Sequence, residues 1–198
     1  MLNMAKGCRV PFPEKLSEGY EILDGRIVAN VNAEKLLDVF KFFIVLNRHK
    51  RGFFFLELPV NREEEVPKKP GVVEAFHKRV YYIDDLPPEE SFGILRRSGD
   101  LLINDGISAF VFGFQTRDEI MLGKYNVVTI ASSEPEKYAE IFGPLEIPRV
   151  ENLVTALDTF TQDAPGIAER VEIGGKTVFD LPEEYRDWGI YEAEIRDD

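Results

Sequence analysis

Phe110, Phe112 and Phe114 stand two residues apart, with Ser108 in phase before them. Side chains two apart share one face of an extended strand, so Ile107–Phe114 is expected to be a strand with an aromatic face that must be covered. The turn residues Asn104-Asp105-Gly106 precede it, which makes Leu101–Ile103 the expected partner strand of a hairpin. Glu119–Leu122 and Tyr125–Ala131 extend that hairpin as a meander.

Other segments repeat the pattern. Tyr20–Val31 alternates around Asp24-Gly25, a dipeptide suited to a tight hairpin turn. Phe53–Leu58 is a continuous apolar run with the length of a buried strand, and Arg79–Asp84 reads as another. A hairpin is expected over Arg170–Ile173, Gly174-Gly175 and Lys176–Leu181, and a last strand over Ile190–Ile195. In that strand Glu192 and Glu194 fall on one side by period two.

Helical spacing appears between these runs. Leu36, Leu37, Phe40, Phe43 and Ile44 recur at i, i+3 and i+4 after Asn32, a good N-cap, and predict a helix over 33–48. Val39, Phe42 and Leu46 widen its apolar face, its basic end Arg48–Arg51 suits the helix dipole, and Gly52 is its expected stop. Further helices are expected over Pro87–Arg97, ended by Gly99, and from Ser133 to near Gly143. The second has capping-box spacing between Ser133 and Glu136. Two more are expected over Pro148–Thr161 and Pro182–Asp187. Runs of hairpin strands interrupted by helices imply an α+β fold, a mostly antiparallel sheet with helices packed largely on one face. The expected organisation is one domain over 1–198, with an exposed proline-rich loop at 59–70 as the place for an internal boundary or a mobile segment.

Several function classes lose support. One cysteine, Cys8, and two histidines leave no room for a typical zinc site, and no metal or cofactor signature is present. Gly174-Gly175-Lys176-Thr177 resembles the end of a phosphate loop, but Arg170 stands where that motif needs glycine, so a hairpin turn is the better reading. No apolar run approaches the ~20 residues of a membrane span, and the N-terminus lacks an apolar leader core, so a cytoplasmic location is expected. Basic clusters at Arg48–Arg51, Lys68-Lys69, Lys78-Arg79 and Arg96-Arg97 could contact nucleic acid, but a net charge of −12 opposes a phosphate backbone.

The charge is uneven along the chain. Residues 1–133 hold 19 acidic and 18 basic residues, whereas 134–198 hold 17 acidic and 6 basic, a net of −11. Solubility explains such an excess blandly; an acidic surface that steers onto a basic protein explains it more sharply. On the second reading Glu183, Glu184, Asp187, Glu192 and Glu194 are the partner-binding candidates. The expected function is then a non-catalytic binding or inhibitory protein, for example an immunity protein that blocks a basic toxin. Two alternatives stand beside it. One is an enzyme with a site dispersed over Asp84, Asp85, Asp105, His77 and Tyr125; the other is a structural or assembly protein that pairs through an exposed sheet edge.

Overall fold

The computed structural model describes residues 1–60, 77–115 and 117–197, so all of the expected loop at 59–70 beyond Val60 lies outside the described residues. Eight strands form an antiparallel sheet: β2 (Gly19–Leu23), β3 (Arg26–Asn30), β4 (Gly52–Pro59), β5 (His77–Leu86), β6 (Ala109–Phe114), β7 (Asp118–Leu122), β8 (Val127–Ala131) and β10 (Tyr191–Asp197). Their order across the sheet is β10-β5-β4-β6-β7-β8-β3-β2. Two short strands, β1 (Cys8–Arg9) and β9 (Ile167–Ala168), pair separately. Among the described residues four α-helices accompany them: α1 (Ala33–Leu46), α2 (Pro88–Asn104), α3 (Pro135–Ala139) and α4 (Leu181–Glu184). The fold is α+β.

The aromatic face of β6 decides where the helices go. Ser108, Phe110, Phe112 and Phe114 are all buried, as their alternation requires. Phe40 of α1 sits 4.7 Å from the Phe110 ring and 6.2 Å from Phe112, and Phe43 sits 5.8 Å from Phe114. Leu36, Val39 and Ile44 complete the inner stripe of α1. On the sheet, Phe54, Phe112, Ile120, Ile130 and Ile27 form one continuous core row across five strands.

Local expectations fail where a tertiary contact outranks a local signal. Leu101–Ile103 is not a strand: α2 runs through Gly99 to Asn104 and buries all three residues. Gly99 is a point of helix–helix approach, not a stop, since a Cβ there would lie 2.8 Å from Leu37 Cδ1 of α1. α1 ends at Leu46, where the Asn47 side chain donates to the Phe43 carbonyl at 3.1 Å, and the basic run Arg48–Arg51 falls beyond it. Gly52 instead opens β4, where a Cβ would stand 2.2 Å from the Gly113 carbonyl. Phe42 and Leu46 are 38% and 36% exposed, so they widen the apolar face of α1 without burying it.

The C-terminal third departs furthest. No α-helix covers Pro148–Thr161, which holds only the 3-10 turn Leu157–Thr159; Pro148–Val150 instead lies along β2, with the Tyr20 N–H donating to the Pro148 carbonyl and the Val150 N–H to the Tyr20 carbonyl, both at 2.9 Å. The Glu21 carboxylate then takes the N–H groups of Asn152 and Leu153, bonds a continuing helix would need. α3 begins at Pro135, not Ser133, and spans only five residues, with Ser132 Oγ accepting from the Glu134 N–H. Only the Gly174-Gly175 turn of the expected second hairpin forms, with a bridge between Ile173 and Lys176. A single 3-10 turn, Val178–Asp180, follows, capped reciprocally by Thr177 and Asp180.

Phe40→Ala is expected to cost about 3–5 kcal/mol because its ring fills the contact between α1 and two strands. Phe42→Ala, two positions away on the outer side, should cost under about 1 kcal/mol. Urea denaturation of the two variants measures the difference.

Candidate functional site

The five residues of the dispersed enzyme reading are not brought together. His77 and Asp85 stand near opposite ends of β5, about 26 Å apart at 3.3 Å per residue. Asp85 pairs with Arg51, and Asp84 accepts a hydrogen bond from the Tyr191 hydroxyl at 2.7 Å, which raises the pKa of that hydroxyl. Asp105 is buried and accepts from the N–H groups of Ile107, Ser108 and Val171 at 2.8–3.1 Å, tying three backbone positions to one carboxylate. Tyr125 packs edge-on to Phe160 at 4.9 Å, and burial raises the pKa of its hydroxyl. Cys8 is buried, and desolvation pushes its thiol up, away from the reactive thiolate. Among the described residues no group of three or more His, Cys, Asp or Glu is placed to hold a metal ion.

The acidic candidates lie around the end of the chain, and most already face a cation. Glu183 pairs with Arg186 at 2.7 Å, Glu184 with Lys176, and Glu192 approaches Arg79 at 3.9 Å. Asp187 is exposed on the turn that follows α4. Glu192 and Glu194 do not share a side, as strict alternation would have placed them. The register shifts at Ala193, so Glu192 lies opposite Tyr81 and Glu194 opposite Val80. Adjacent residues of β5 point to opposite faces, so Glu192 stands on the helix-covered face and Glu194 on the other.

The two edges of the sheet differ. Pro148–Val150 covers β2, whereas among the described residues no strand pairs with the outer edge of β10. Every side chain from Tyr191 to Arg196 is exposed.

The face opposite the helices carries a second candidate site. Directly paired residues share a face, so Tyr191, Tyr82, Phe55, Val111, Met121 and Thr129 form one row across six strands. On one side of it lies the Glu57–Ala109 pair, near Gly123; on the other lies the row Phe53, Gly113, Glu119. Gly113 leaves room for Phe53, whose ring would lie 2.3 Å from a Cβ at that position. These rows floor a groove of about 530 Å³, within the usual range for small-molecule sites.

Charge in the groove is polarised. Buried Glu57 receives Lys78 at 2.7 Å on one oxygen and Arg196 on the other, and the Arg196 guanidinium lies 5.6 Å from the Phe55 ring centre. Lys124 stands at the same end, beside Gly123, and Glu119 at the opposite end.

No family model, curated protein or solved structure matches this chain. Function therefore has to be argued from the two surfaces just described. The strand and the glutamates of the first were expected from the sequence, but not their opposite faces; the groove was not legible there. The run Phe53–Leu58 reads as a strand buried on both faces, and only the sheet order shows that Phe53 and Phe55 face away from the helices.

Asp105→Ala separates a capping role from a catalytic one. It leaves three backbone donors without their acceptor and is expected to destabilise the protein by about 2–3 kcal/mol. Chemical denaturation reads the loss; unchanged stability would contradict the capping role.

Proposed function

We propose that this chain is a non-catalytic binding protein that takes an extended, basic segment of a partner protein onto the outer edge of β10. The observation that carries the reading is an exposed edge strand with a carboxylate on each face, Glu192 and Glu194. An added strand gains main-chain hydrogen bonds, and its side chains set specificity. Cations on the incoming strand would meet Glu192 on one face and Glu194 on the other. Tyr191 and Ile195, 46% and 52% exposed, offer apolar contact at the two ends.

Two further features support this reading. The net charge of −12 draws a basic partner from a distance and speeds association. The same charges oppose assembly of the protein with itself, because antiparallel pairing of two β10 strands centred on Glu192 or Glu194 would set that glutamate against its own copy. The bulge at Ala193 and the high charge of the strand are devices by which natural edges avoid unselective pairing. An inhibitor or immunity protein that occupies a basic toxin is the concrete biological form of this reading. Glu183, Glu184 and Asp187, on the segment leading into β10, would then line the approach.

A capped peptide of lysine pairs alternating with valine pairs, which sets cations on both faces of the added strand, compared with its glutamate–valine counterpart, tests the proposal. The basic peptide should bind and protect the β10 amides from hydrogen exchange. Its affinity should fall at least tenfold in the Glu192→Lys/Glu194→Lys double variant. Binding that ignores the charge reversal, or protection confined to other strands, would sink the idea. Light scattering should show no self-association through this edge.

A further inference from the structure

We propose that the groove on the open face of the sheet is a binding site for a small amphipathic anion, an apolar chain that ends in a carboxylate. The site is separate from the outer edge of β10. Its evidence is a spatial order of chemistry along the strands: cations at one end, an apolar floor in the middle, a carboxylate at the far end.

The cationic end is defined by Lys78, Arg196 and Lys124, with Glu57 between the first two and Glu194 in the same row beyond Val80. Glu57 is committed to Lys78 and Arg196 through its two oxygens. Lys124 is exposed, and none of the described carboxylates pairs with it. Its place is determined by the turn that follows. Tyr125 and Asn126 both hold positive φ, 59° and 62°, an unfavourable conformation for residues other than glycine. The Asn126 side chain holds that turn: its amide donates to the Asn3 and Val31 carbonyls at 2.9 Å, and its oxygen accepts from the Ala5 N–H at 2.9 Å. The ammonium-bearing residue is thus anchored at the rim by a buried network.

The middle is apolar. Tyr82, Phe55, Val111 and Met121 lie side by side across β5, β4, β6 and β7, and Met121 remains 37% exposed. From the Glu57 position to the Phe53 position is four residues of strand, about 13 Å at 3.3 Å per residue, which accommodates a medium-length chain laid along β4. The far end carries Glu119, which disfavours a second negative group there and sets the ligand's direction. Charge complementarity therefore selects one polarity. A carboxylate meets the Lys124 ammonium at the near end, whereas a cationic head of equal length would be set against that ammonium, with Glu57 already held by Lys78 and Arg196.

Decanoate and decyltrimethylammonium, each below its micelle concentration, are the probes. Titration calorimetry and methyl spectra of the whole chain should show decanoate binding, with the Met121 methyl shifted and decyltrimethylammonium at least tenfold weaker. Lys124→Glu should weaken decanoate at least tenfold, and Met121→Glu should do the same from the apolar floor. Both positions are exposed, so melting curves should confirm that the variants remain folded. Equal binding of the two probes, decanoate binding indifferent to Lys124→Glu, shifts confined to other surfaces, or no binding would each overturn the proposal.

Discussion

Seven inter-strand steps of about 4.8 Å make the eight-stranded sheet about 34 Å wide, whereas two packed helices cover about 20 Å of it. That mismatch governs the rest of the architecture. α1 and α2 bury the middle of the sheet through Phe40, Phe43 and Ile94, and a strip at either side still needs cover. On the β2 side, Phe142 stacks on Tyr20 at 4.5 Å, and Tyr138 reaches the Phe43 ring at 5.0 Å. On the other side Tyr185 sits 5.8 Å from Phe54, with Trp188 behind it. All four of these covering aromatics follow residue 134. The acidic third of the chain is therefore also the part that closes the core at both sides.

This explains why segregation of charge along the sequence does not become segregation in space. A segment that must supply Tyr138 and Phe142 at one side and Tyr185 at the other has to cross the molecule, and its carboxylates travel with it. Glu136 pairs with Arg149 near β2, Glu169 with Arg9 beside β1, and Glu184 with Lys176 near α4. What remains at the end of the chain is narrower than a whole acidic face: an edge strand with a glutamate on each side. The lopsided composition retains a physical consequence at long range, where the field depends on net charge more than on arrangement.

Legibility followed the range of the interactions. The Tyr20–Val31 hairpin, β4 and the β6–β8 meander were readable because period-two burial and turn residues lie within a few positions of one another. Gly99 and Leu101–Ile103 misled because a glycine that admits Leu37 from a neighbouring helix looks locally like a helix stop. Pro148–Thr161 misled because its backbone donors are taken by Glu21 and Tyr20, more than 120 residues earlier. The bulge at Ala193 has no local signature, yet it alone separates Glu192 from Glu194. The groove escaped for a related reason: Phe53 and Phe55 look like core until the sheet order shows which face the helices leave open.

The two proposed surfaces carry opposite local charge within one acidic molecule, and this gives them opposite kinetic behaviour in salt. A basic segment approaching β10 is attracted at long range, so added salt shortens the reach of that attraction and slows its association. A small anion approaching the groove is repelled by the net charge of −12 before it meets Lys124. At physiological ionic strength the screening length is about 8 Å, so charges farther from the groove than that are largely screened. Added salt therefore shields the anion from the bulk of the protein and should speed its approach. Stopped-flow association rates that fall with salt for the lysine–valine peptide and rise for decanoate would distinguish two sites of opposite polarity from one unselective charged surface.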